Sequence, residues 1–171
     1  MKFQIVAATF FITSTLTSGA SWAESICYDV VESSTSTTNI TSTLQTGQIK
    51  LKLVRAGTSD VVFNKTGTLV GVITGTLPDG RPILTHTAKF SEGFSYTTQG
   101  DVATPMGDPT QCSFAAIEFI SHIARGTKLF DNLQPYFDET VYNGVVATGE
   151  ISNCPDLNRN TFSLAGRLCK P

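Results

Sequence analysis

The chain has 171 residues and a formal net charge of −2, from 12 Lys and Arg against 14 Asp and Glu, with four cysteines. No basic or acidic block occurs, which excludes a nucleic-acid footprint, because that needs Lys and Arg clustered along one face. The cysteines form no C-x-x-C and the two histidines lie far apart in sequence, so no zinc pattern is present.

The first 23 residues, MKFQIVAATFFITSTLTSGASWA, read as a secretory signal peptide. A lysine is followed by an apolar run through Ile12 and a small-residue end at Ser21-Trp22-Ala23. The run is shorter than the roughly 20 residues of a membrane span. The expectation is a secreted or periplasmic protein, cleaved after Ala23, with residues 24–171 as a single domain and no membrane span.

Beyond Ala23, short alternating runs rich in Thr, Ser, Val and Ile are punctuated by turn signals, an all-β pattern. The expected strands are Cys27–Glu32, Gly47–Arg55, Val61–Asn64, Gly67–Leu77, Ile83–Phe90, Phe94–Thr104, Ser113–Ser121, Val141–Ser152 and Thr161–Cys169. Residues 33–46, SSTSTTNITSTLQT, read as a flexible Ser/Thr-rich loop. Asn39-Ile-Thr and Asn64-Lys-Thr are glycosylation acceptors if the host is eukaryotic.

Two turns set the central registers. Leu77-Pro-Asp-Gly-Arg81 is a Pro-Asp-Gly turn, and Ser91-Glu-Gly93 suits a short hairpin loop with glycine in the left-handed region. These place Phe90 opposite Phe94, Ala88 opposite Tyr96, and His86 between Thr98 and Ile73. His86 then points inward with Leu84, Ala88 and Phe90, while Gln99 and Asp101 fall on the outer face. Gly71, Gly75 and Gly100 leave room around the imidazole. In the last hairpin Ala147, Gly149 and Ile151 lie opposite Leu168, Gly166 and Leu164. The architecture expected is a closed antiparallel β-barrel of about eight strands with a partly hollow centre.

Disulfide pairing follows from that topology. With a turn at Pro155–Asn160, Cys169 lies about 26 Å from Cys154 at 3.3 Å per residue, beyond the roughly 7 Å that a bridge spans. Pairing of the first and last strands brings Cys27 beside Cys169, which leaves Cys112 with Cys154.

The arrangement resembles the allene oxide cyclase and dirigent superfamily of β-barrels. The likeness is carried by Gly67-Thr-Leu-Val-Gly-Val-Ile-Thr-Gly-Thr, Leu84-Thr-His-Thr, Gly93-Phe-Ser-Tyr-Thr-Thr, Ile123-Ala-Arg-Gly-Thr-Lys-Leu-Phe and Thr161-Phe-Ser-Leu-Ala-Gly-Arg-Leu-Cys. Lys128 departs from the family's Gly-Thr-Gly-x-Phe/Tyr segment, and the match lies mostly in fold-forming glycines. The resemblance implies a barrel that receives a small hydrophobic molecule and steers its geometry; no cofactor is expected, and the cysteine and histidine spacing gives no expectation of a metal. Lipocalins, the rival barrels, carry a Gly-x-Trp signature that is absent here.

His86, Tyr96 and Glu118 are the candidate catalytic residues, because a histidine or carboxylate in an apolar cavity is available for acid–base chemistry. The bland alternative for His86 is a core histidine bonded to Thr98 or backbone. The face of Glu118 is open, since Phe114, Ala116 and Ile120 on one side are as apolar as Ala115, Ile117 and Phe119 on the other. Gly71, Ile73, Gly75, Phe90, Phe94, Thr98, His122 and Tyr142 are the expected cavity lining. Function divides between a cofactor-independent cyclase or isomerase and a non-catalytic carrier or dirigent-type guide; a barrel filled by its own side chains is a third reading. A homo-oligomer is compatible with the sequence.

Overall fold

A computed structural model describes residues 25–138, 142–154 and 157–170, with side chains except at Tyr142, Asn143 and Leu157. The leader, including Trp22, and the side chain of Tyr142 lie outside the described residues. Among those described there is no α-helix, and no helix is long and apolar enough to cross a membrane.

The strands are β1 (Ile26–Asn39), β2 (Leu44–Arg55), β3 (Val61–Thr76), β4 (Pro82–Phe90), β5 (Ser95–Thr98), β6 (Asp101–Pro105) and β7 (Ser113–Ile120). Short pieces follow, β8 (Ile123–Gly126), β9 (Gln134–Pro135), β10 (Phe137–Asp138) and β11 (Tyr142–Asn143), then β12 (Val145–Cys154) and β13 (Leu157–Lys170). Pairing is antiparallel in the order β3-β2-β1-β13-β12-β7-β6-β4-β5-β8, and β3 also pairs with β4. Eight strands thus meet in a ring of hydrogen-bonded neighbours that is not evenly disposed about one axis. The bridges are Cys27–Cys169 and Cys112–Cys154, the first between directly paired residues of β1 and β13.

Residues 33–46 are not a loop. They complete β1 and open β2, with a tight turn between, where Ile40 N–H donates to Leu44 O at 2.8 Å. Ser33 and Thr37 are buried and Thr35 is half-buried. Threonine is β-branched and favours the extended chain, and here the alternating hydroxyls face the interior. The exposed Asn64 sits on β3, whereas Asn39 is half-buried and donates through Nδ2 to Asn153 Oδ1 at 2.5 Å.

Both predicted turns are present. Leu77 N–H donates to Arg81 O at 2.8 Å and Phe90 N–H to Phe94 O at 2.8 Å, with Gly80 and Gly93 at φ 91° and 75°. Register differs in two places. Thr76 pairs with Pro82, one residue away from the expected register, and an irregularity between Ile73 and Gly75 adds a second, so Gly71, not Ile73, lies opposite His86. The last hairpin closes earlier, with Cys154 opposite Leu157, so Ala147 faces Leu164 and Gly149 faces Phe162. Both shifts are even, and an even shift leaves side chains on their original face.

Phe94–Thr104 is two strands. At Gly100 (φ 78°) the chain breaks; β5 leaves to pair with β8, and β6 continues to β7. One end of the interior is filled by Phe63, Phe90, Phe94, Tyr96 and Phe130, with Phe63 in edge contact to Phe90 at 5.1 Å and to Phe130 at 5.2 Å. Such pairs add to area burial by about 0.5–1.5 kcal/mol each. Phe90 and Phe94, expected at the cavity wall, belong to this plug instead.

Candidate functional site

Midway along the strands the apolar core gives way to a polar cluster built from four elements. His86 occupies an inward position of β4 and is 8% exposed. Gly71 makes its place: a Cβ there would lie 2.8 Å from His86 Cδ2 and 2.7 Å from Gln45 Cγ. From the β5–β6 break come Thr98 and Asp101, both buried. Glu118 of β7 points inward, 7% exposed, flanked across the sheet by Ala103 and Ala147. Two alanine neighbours leave the carboxylate space that larger side chains would fill.

His86 Nδ1 lies 3.0 Å from Asp101 Oδ2 and 3.1 Å from Glu118 Oε1. Thr98 Oγ1 accepts the His86 backbone N–H at 3.0 Å and donates to Asp101 Oδ2 in a short hydrogen bond. One hydrogen on Nδ1 serves Asp101, so Glu118 Oε1 is held by charge and has no aligned donor, as is also true of Asp101 Oδ1. Buried carboxylate oxygens without donors are costly unless a nearby cation compensates them.

Burial opposes protonation of His86, but the Glu118 charge beside it and the hydrogen bond to Asp101 outweigh it and raise the pKa to about 10. Burial pushes Asp101 upward, against the downward pull of His86 and Thr98. Tyr96 is also raised, first by burial and then by the Asp101 and Glu118 charges, so its phenol keeps its proton. Gln45 Nε2 lies 3.3 Å from His86 Nε2, an arrangement that suits the neutral ring. A half-turn of the amide, which has the same shape either way round, presents Oε1 to an imidazolium N–H.

Two cavities adjoin the cluster. A small one of about 30 Å³, touched by His86, Tyr96, Thr98 and Glu118, is large enough for water but not for a substrate. A larger one of about 420 Å³ lies away from the aromatic plug, its walls including Ile73, Leu84, Phe114, Ile151 and Phe162 and its rim Asn39 and Asn153. Glu118, Gln45 and Phe162 border both, so Glu118 stands where they meet. His86, Asp101 and Glu118 also offer ligand atoms within 4.8 Å of one another, a set able to hold a metal ion. A metal on Nδ1 would displace the proton that Asp101 accepts.

Of the sequence-derived residues, His86, Tyr96, Glu118 and Thr98 come together, and Gly71 and Ile73 border the larger cavity. Gly75 pairs with Ile83 and lines neither. His122 lies past the end of β7, exposed, with Nδ1 3.0 Å from Gln134 Oε1. Alternation carried it inward on paper, but β7 stops at Ile120. Asp101, expected outside, is wholly buried. An uninterrupted strand would expose it, whereas the break at Gly100 puts Thr98 and Asp101 on one face. The glycine in Gln99-Gly-Asp101 was the available signal. Gln45 was hidden in the supposed loop. Arg167 donates through Nε to Asp29 Oδ1 at 2.7 Å, away from both cavities.

No protein-family model, curated protein or solved structure matches the chain.

Proposed function

We propose that the ring of strands is a closed barrel, exported to an oxidising compartment, that takes a small apolar molecule into the 420 Å³ cavity and steers its cyclisation or isomerisation without a cofactor. The observation that carries this reading is a buried carboxylate, Glu118, the one charged side chain on the wall of the larger cavity among the described residues, backed by His86 and Asp101. The volume lies within the roughly 300–1,000 Å³ of small-molecule sites, and two disulfides fit an exported chain. Glu118 would accept a proton from bound substrate, and His86, held by Asp101, would balance the charge as it moves. Tyr96 would stay neutral and shape the inner pocket. Orientation of the substrate supplies the remainder of the rate, as the resemblance to allene oxide cyclase and dirigent barrels implies. The carrier or guide reading is favoured by one observation: the space beside His86 is only about 30 Å³, too small for a substrate.

Ring opening of 5-nitrobenzisoxazole separates these readings without knowledge of the natural substrate. A base removes the C–H proton, the N–O bond breaks and a phenolate forms. Turnover is expected at about 10²-fold or more above buffer, in the range of positioned bases, and is expected to vanish in Glu118→Gln. Saturable binding of the probe without turnover would replace the enzyme reading with the carrier.

A further inference from the structure

We infer that the natural occupant of the larger cavity is an apolar molecule bearing a protonated amine, not a carboxylate or phosphate. The inference rests on the reading of that cavity as the binding site and names the chemistry it selects.

Among the described residues no Lys or Arg borders either cavity; the charged or titratable side chains there are Glu118 and, in the inner one, His86 and Tyr96. Apart from the charge contact to His86 Nδ1, Glu118 has no hydrogen-bond donor among the described residues, although it is more than nine-tenths buried. A second acceptor bordering the larger cavity is short of a partner. Asn160 Nδ2 donates to Asn39 Oδ1 at 2.8 Å, which leaves the buried Asn160 Oδ1 unpaired. Both shortages are of donors. The composition of the cluster agrees: two carboxylates, Asp101 and Glu118, share one imidazole nitrogen as their cationic partner among the described residues. An ammonium group supplies donors and a positive charge together, and buried carboxylates are stable when so paired. A carboxylate ligand would bring a third negative group to the same floor, where low dielectric magnifies repulsion.

Octylamine, octanol and octanoate are matched probes for the cavity. Isothermal titration at pH 7.5 and 0.15 M salt is expected to show octylamine binding at least tenfold tighter than octanoate, with octanol between. In Glu118→Gln the amine preference is expected to fall below threefold, with octanol affinity retained. Octanoate binding as tightly as octylamine to the wild-type protein would overturn the inference and leave the cavity reading standing. Failure of all three to bind would overturn both.

Discussion

Replacing His86 by alanine is expected to cost about 3–5 kcal/mol of folding stability at neutral pH, the range seen when one member of a buried charge pair is removed. The loss does not come chiefly from packing. The imidazole lies within 3.1 Å of two carboxylates that no other cation reaches among the described residues, so its removal strands them in the interior. The effect has a pH signature. His86 is raised from 6.5 unfolded to about 10 folded, so its contribution is fully present below about pH 6.5 and is lost as pH rises through 10. Wild-type stability should therefore decline between those values, and His86→Ala should lack that decline. On acidification the gap should narrow, because a protonated Asp101 no longer needs a counter-charge; its folded pKa is already raised by burial. Denaturant unfolding of both proteins at pH 4, 7 and 10 checks this. Parallel curves at all three would make His86 an uncharged packing residue.

Loss of the Cys27–Cys169 bridge is expected to be as damaging. It closes a loop of 142 residues against 42 for Cys112–Cys154. Loop-closure entropy then assigns about 5 and about 4 kcal/mol to them respectively. Net stabilities of single domains are only about 5–15 kcal/mol, so the double variant Cys27→Ser/Cys169→Ser should stand near the edge of folding. The bridge also fastens β1 to β13, the pairing that joins the first and last long strands of the ring. Urea midpoints of the two double-serine variants test the order. A larger loss from Cys112→Ser/Cys154→Ser would show that native-state contacts, not chain entropy, decide the contribution.

Features fixed by local chemistry were legible in the sequence. Proline, aspartate and glycine between Leu77 and Arg81 announce their turn, and the hairpin at Ser91–Gly93 aligns Ala88 with Tyr96 as expected. Cysteine pairing was legible because only antiparallel neighbours bring the right ends together. Features fixed by the interior's polarity were not. Thr35 and Thr37 look like loop residues until the cavity they face is known, since alternation rules assume an apolar inside. The same assumption left Glu118 undecided: both faces of β7 are apolar, and Phe119 on the outer face is 40% exposed. Asp101 was lost to one residue of phase at Gly100. The catalytic candidates His86 and Glu118 were therefore readable singly, but their convergence was not, because it depends on a strand break and on pairing between segments far apart in sequence.

The central claim is that a small molecule occupies the space above Glu118. Native mass spectrometry of the protein purified from its own host with both disulfides intact tests it most directly, alongside an Ala103→Phe variant that narrows the larger cavity. The account predicts a retained mass of a few hundred daltons, in keeping with a site of drug-like volume, that is absent from the variant. A bare polypeptide mass for the wild type, together with refusal of apolar amines, alcohols and acids, would contradict it and make the His86 cluster a structural ion pair.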